Sequence, residues 1–175
     1  MTDIISIINE EYQSMNESIN VFHGSDRKFD TFNTEMVGSG DGNSKGGWGI
    51  YFSTDEQVAG QYSTTNGFVK EFQLRDGKYF DLDDSLGEYG EEILEDLQYH
   101  NVSEENVEQF RTDYVDYAYE TTNKQAYDWL SYVLGSEKNA SLFLARLGFR
   151  GNKFYDKTNP EATNYVVFNT DTIIY

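Results

Sequence analysis

The sequence predicts an α+β domain built on a largely antiparallel sheet. Three observations carry that prediction. Short runs rich in β-branched and aromatic residues fill the first part of the chain, up to Leu82. Apolar residues at helical spacing then mark an acidic helical insert, about 84–147, and two strand-like runs close the chain. At 175 residues, 38% of them hydrophobic and 16% aromatic, the chain is long enough for one domain, 1–175, with a real core.

The elements follow in order. Asp3 to Ile19 reads as an amphipathic helix with Ile4, Ile8, Tyr12, Met15 and Ile19 on one side. Asn20 to His23 is a short strand, and an irregular stretch follows in which Phe29 and Phe32 are the expected core anchors. Gly38 to Gly49 holds six glycines in twelve positions, too flexible for either regular element. Ile50 to Phe52 is a second strand, and Ser53-x-x-Glu56 is a capping-box pattern opening a helix through Tyr62. Phe68, Phe72 and Leu74 give a third strand, and Lys78 to Leu82 a fourth across the turn Asp76-Gly77.

The middle is helical. Ile93, Leu94 and Leu97 mark one helix, and Ser103 caps another whose acidic first turn, Glu104 and Glu105, suits the helix dipole. Its inner face is Val107, Phe110, Tyr114 and either Tyr117 or Ala118. Tyr127, Leu130 and Leu134 lie on the next. Ala140, Phe143, Leu144 and Leu147 define the last, with Gly148 as its stop. Arg150 to Asp156 and Asn164 to Asn169 are the closing strands, and His100 is expected in an exposed loop.

Composition excludes several classes of function. There is no cysteine, so disulfide scaffolds, thiolate nucleophiles and cysteine zinc sites are out, and two histidines do not make a histidine-rich metal site. No metal is expected. No apolar run approaches the roughly 20 residues that span a bilayer, and the start carries no signal-peptide pattern. A soluble, cytoplasmic chain is the expectation. The formal charge of -18 is concentrated: residues 81–120 carry 14 acids and one arginine, Arg111. Such a field repels nucleic-acid backbones and draws basic partners, although a solvated helical face has the same composition.

One constellation points to chemistry. His23-Gly24-Ser25 ends the first strand, Gly49-Ile50-Tyr51-Phe52 opens the next, and Tyr62 lies eleven residues beyond Tyr51. A polar side chain, an open glycine backbone and two aromatic rings suit a planar carboxamide on a ribose, which is what the nicotinamide end of NAD presents. Taken singly, His23 is as well explained as a satisfied strand-end histidine, and Tyr51 and Tyr62 as core aromatics in a chain with 14 tyrosines. Order and spacing together favour the site.

These residues resemble the NAD-binding core of ADP-ribosyltransferases, in the His/Tyr arrangement of the poly(ADP-ribose) polymerase branch. Asn164-Tyr165-Val166-Val167-Phe168-Asn169 looks like that branch's last catalytic strand. The size and layout are similar to phage-borne mono-ADP-ribosyltransferases, an anti-CRISPR transferase among them. The resemblance covers roughly 20–82 and 146–175 and implies a split sheet with NAD as substrate. It implies that His23 bonds the ribose hydroxyl beside nicotinamide, that Gly24 reads the carboxamide through its backbone, and that Ser25 adds a hydrogen bond. Tyr51 and Tyr62 would sandwich the ring, with Phe52 and Asn164 completing the binding set. The glycine-rich stretch would fold over NAD or admit an acceptor.

Two positions depart from the branch. Asn164 stands where the polymerases carry a glutamate, and Ala59 where they carry a serine that touches the carboxamide. An amide orients a hydroxyl but brings neither charge nor base, so chain extension is not expected. Asp156, at the end of a strand, and Glu161, in the loop after Pro160, are the candidates for the missing carboxylate, Asp156 being preferred because a strand end positions it better. The expected function is NAD-dependent mono-ADP-ribosylation of a basic, nucleic-acid-binding protein, in a phage anti-defence role. The competing expectations are an inactive acidic mimic of nucleic acid and an NAD glycohydrolase.

Overall fold

A computed structural model describes residues 17–28, 30–33, 45–63 and 67–175. The described elements are β1 (Ser18–Ser25), β2 (Ile50–Ser53), α1 (Glu56–Gly60), β3 (Phe68–Arg75), β4 (Tyr79–Asp81), α2 (Tyr89–Leu97), α3 (Glu104–Phe110), α4 (Asn123–Val133), α5 (Glu137–Arg146), β5 (Gly151–Tyr155), β6 (Thr163–Val167) and β7 (Ile173–Ile174). A π-helical turn, Arg111–Val115, extends α3, and a 3-10 turn, Thr170–Thr172, precedes β7. The strands form one sheet in the order β4-β5-β6-β2-β1-β3-β7. All neighbours are antiparallel except β4 and β5. No helix among the described residues is long and apolar enough to cross a membrane.

Two apolar clusters hold the sheet. One gathers Val21, Ile50, Phe52, Phe72, Leu74, Val167 and Ile173 over the β2-β1-β3-β7 half, with Phe32 packed against it. The other joins Phe80, Leu82, Phe149 and Phe168 to the inner faces of α2, α3, α4 and α5, including Leu97, Phe110, Leu130 and Leu144. The helices of 84–147 therefore share a core with β4 and its neighbours. Their hydrophobic residues are buried where the apolar spacing places them, as the 3.6-residue period requires.

Several expectations change. The helix expected over Asp3 to Ile19 lies mostly outside the described residues, but Ser18 and Ile19 belong to β1, where Ile19 pairs with Leu74. Cross-strand pairing along eight registered residues outweighs the local helical spacing at this end. Ser53 does not cap α1. It is buried in β2, and Asp55 is the cap, accepting from the Gln57 and Val58 amides at 2.8 and 3.0 Å. Asp76-Gly77 is not a hairpin turn either: β3 pairs with β1 and β7, while β4 crosses to the far edge beside β5.

On α3 the choice between Tyr117 and Ala118 falls to Ala118, which is buried while Tyr117 is exposed. The wide π turn supplies the reason. Asp116 N–H bonds the Arg111 carbonyl five residues back, which delays the phase so that Tyr114 stacks on Phe110 and Ala118 turns inward. His100 is not in an exposed loop. It is half-buried, with Nε2 3.2 Å from Asp96 and its ring edge-on to Phe143. Phe29 lies outside the described residues, whereas Phe32 packs as expected.

Candidate active site

β1 and β2 are in register at Phe22 and Ser53. One residue further along β1, His23 places its ring against the neighbouring strand, with Nδ1 2.6 Å from the Tyr51 carbonyl oxygen. A carbonyl only accepts, so Nδ1 carries the proton, and in the neutral ring Nε2 is then an acceptor. Burial holds the imidazole below its ordinary pKa, against the opposing pull of the Tyr51 carbonyl, so the ring is neutral at pH 7. Phe32 lies edge-on to it at 5.0 Å and Phe52 tilted at 5.5 Å. Phe52 is itself buried in the sheet core, so its ring supports His23 from behind.

Gly24 follows, and its lack of a side chain has a packing cause. A Cβ there would run into the carbonyl oxygen of Ala59, because α1 lies directly across this point of β1. The freedom expected at Gly24 is taken up by the helix that carries Tyr62 behind it. Ser25 ends the strand, its hydroxyl accepting from the Arg27 amide at 3.2 Å.

Tyr51 alternates with Phe52 and so points to the opposite face of β2. Its hydroxyl donates to the Gly47 carbonyl at 2.7 Å, and burial raises the phenol's pKa. Tyr62, exposed just past α1, faces it at 6.1 Å between ring centres and 43° between planes. A planar ring inserted between two others needs roughly 7 Å between them at van der Waals contact, so the pair stands nearly open enough. Tyr51 is anchored, and Tyr62 is the ring with room to move.

The turn before Tyr51 is held by the helices. Trp48 N–H donates to the Tyr127 hydroxyl at 3.1 Å, Ser141 donates to the Trp48 carbonyl at 2.9 Å, and Asn152 donates to the Gly46 carbonyl at 2.7 Å. Gly47 has φ of +89°, and the Tyr127 ring occupies the space a side chain would need. Residues 46–49 are thus packed beneath α4 and α5. The rest of the glycine-rich stretch expected to fold over NAD or admit an acceptor, residues 38–44, lies outside the described ones. Nothing in the sequence pattern marked Tyr127, Ser141 and Asn152 as its anchors.

Asn164 on β6 is in register with Ser53, buried, on the same face as Tyr51. Its amide nitrogen donates to Asp156 Oδ2 at 3.3 Å. Asp156 Oδ1 accepts from Thr158 N–H and Oγ1 and from Asn159 N–H, at 2.8, 2.6 and 3.0 Å. Burial pushes the Asp156 carboxyl up, but those hydrogen bonds prevail and hold it below its ordinary value. Burial, and after it the charge of Asp156, raise the pKa of the Tyr62 phenol. Asn159 in turn donates to Asp55 Oδ2 at 3.0 Å, tying the β5–β6 turn to the cap of α1.

The structure therefore brings Asp156, Asn164, Tyr62 and Tyr51 to one place and joins His23 to it through the Tyr51 main chain. Glu161 sits on the exposed turn, its amide donating to Asn159 Oδ1 at 3.2 Å. Asp55 and Asn159, which lock the two sides together, were legible in the sequence only as turn-forming residues.

The family model described as ADP-ribosyltransferase in polyvalent proteins matches residues 16–173. The chain belongs to that family. No curated protein and no solved structure matches it. ADP-ribosyltransferases use NAD as substrate, and the donor set here fits its nicotinamide end: an acceptor nitrogen on His23, paired tyrosine rings, and a buried amide oxygen on Asn164 with no partner among the described residues. Among the described residues no group of three or more His, Asp or Glu is placed to hold a metal ion.

Proposed function

We propose that this ADP-ribosyltransferase domain is an NAD-dependent mono-transferase that modifies a macromolecular target, a basic nucleic-acid-binding protein. The observation that carries the mono-transfer reading is Asn164, a buried neutral amide on the strand position where the polymerase branch has glutamate. An amide supplies no base to activate a sugar hydroxyl as the next acceptor, so the product is one ADP-ribose unit.

In this reading the C–N bond between nicotinamide and ribose breaks, nicotinamide leaves with the bonding pair, and the acceptor's lone pair forms the new bond as its proton is released. His23 Nε2 accepts from a ribose hydroxyl, Gly24 and Ser25 meet the carboxamide, and Tyr51 and Tyr62 bracket the ring. Asp156 supplies negative charge near the ribosyl centre, where positive charge develops. The 14 acids of residues 81–120 favour a basic target, and inactivating such a target is what an anti-defence protein of a phage would do.

The test is incubation of the protein with labelled NAD and a lysate of a bacterial host, comparing wild type with His23→Ala and Asp156→Ala. A discrete labelled protein, lost in both variants, is expected. Nicotinamide release with no labelled protein would assign hydrolysis instead. The concentration of acids also favours a second reading, an inactive mimic of nucleic acid. Binding and inhibition of a basic partner that survive His23→Ala would establish it.

A further inference from the structure

Asn164 is 1% exposed, and its two amide atoms have different fates. The nitrogen donates to Asp156 Oδ2, and Oδ1 has no partner among the described residues. A carboxylate only accepts, so this contact fixes which way the amide faces. Asn123 and Asn152 also bury an unpartnered Oδ1, but their nitrogens hold main-chain carbonyls, of Asp81 and Gly46. Among the described residues Asn164 alone of the three is held by a charged side chain, and that side chain is committed. Its other oxygen is taken up by three donors from Thr158 and Asn159.

We propose that Asp156 is a positioning residue: it orients the Asn164 amide so that Oδ1 accepts a hydroxyl of the substrate's ribose. This rests on the reading of the site as one for NAD. The residue that meets the sugar is a neutral amide, and the carboxylate behind it sets the direction of that amide and lends it charge. An unpartnered buried acceptor is unfavourable in the free protein and is satisfied when a hydroxyl donates to it, which makes this atom part of substrate recognition.

The orientation has a distinctive test by exchange. In Asp156→Asn the new amide keeps its oxygen toward the three donors of Thr158 and Asn159 and turns its NH2 toward the NH2 of Asn164. Two donors then abut, Asn164 rotates, and a donor replaces the acceptor facing the sugar. In the double variant Asp156→Asn/Asn164→Asp the carboxylate at 164 takes the N–H from 156 and presents its second oxygen to the site.

The expected result, read as nicotinamide release from NAD, is a fall in kcat/KM of tenfold or more for Asp156→Asn and for Asn164→Ala. The double exchange restores most of it, with all three variants folded, as shown by cooperative thermal unfolding. A double exchange as inactive as Asp156→Asn, or an Asn164→Ala variant within threefold of wild type, would overturn the proposal and make Asp156 the group that meets substrate. A second readout does not depend on turnover. The Asn164 side-chain amide signal, assigned by its loss in Asn164→Ala, should be protected from hydrogen exchange in wild type and unprotected in Asp156→Ala. Protection without any nicotinamide release by wild type would sink the NAD reading. Release by a wild type whose amide is unprotected would sink the pairing.

Discussion

The hydroxyl of Tyr127, on α4, receives the main-chain N–H of Trp48 at 3.1 Å and lies 2.9 Å from Ser141 Oγ, which donates to the Trp48 carbonyl. Through these bonds the helical region holds the turn that precedes Tyr51, and Tyr51 in turn donates to Gly47 within it. α4 and α5 are thereby joined to the site by their buried faces.

Tyr127→Phe removes that hydroxyl and leaves the Trp48 N–H without its acceptor in a half-buried position. The expected loss is about 1–3 kcal/mol of stability, measured by urea unfolding. The KM for NAD should rise with it, because the support of Tyr51 loosens. A variant as stable as wild type would show that the turn is held by its other contacts.

His23 makes stability depend on pH. Its folded-state pKa lies below the ordinary 6.5, so between those values the unfolded chain binds more protons than the folded one. The contribution is complete above pH 6.5 and is lost as pH falls below it toward the folded value. His23→Gln keeps an N–H able to donate to the Tyr51 carbonyl but does not titrate, so this part of the slope should vanish. Asp156, also depressed, acts in a separate window: its contribution is present above 3.8 and lost as pH falls further. Denaturation curves at a series of pH values separate the two.

Gly24→Ala drives a methyl group into the Ala59 carbonyl, which is backbone and cannot swing aside. Displacement of α1 from β1 should cost about 1–3 kcal/mol, seen as a lowered Tm. Tyr62 shifts with α1, so NAD binding should weaken too.

Tyr62→Ala separates binding from folding. The ring is 44% exposed, so thermal unfolding should change little. Loss of one stacking partner is worth about 0.5–1.5 kcal/mol, a weakening of NAD binding of roughly 2- to 12-fold by titration calorimetry. Unchanged affinity would remove Tyr62 from the site.

What the sequence determined by itself is local. Ser103 caps α3 because its side chain reaches the Asn106 amide three residues on, and Ala140, Phe143 and Leu144 share one buried face because a helix repeats every 3.6 residues. The order His23, Tyr51, Tyr62 was legible because spacing between motifs is itself a sequence property. Partners distant along the chain were not. Nothing near Asp76-Gly77 says that β4 leaves β3 for the opposite edge, since a turn constrains only its own residues, whereas strand pairing is decided by which apolar faces find each other. Only the tertiary structure sets Asp156 against Asn164, Asn159 against Asp55 and Tyr127 against Trp48, 79 residues away, because a buried polar group must be satisfied by whatever the fold brings to it.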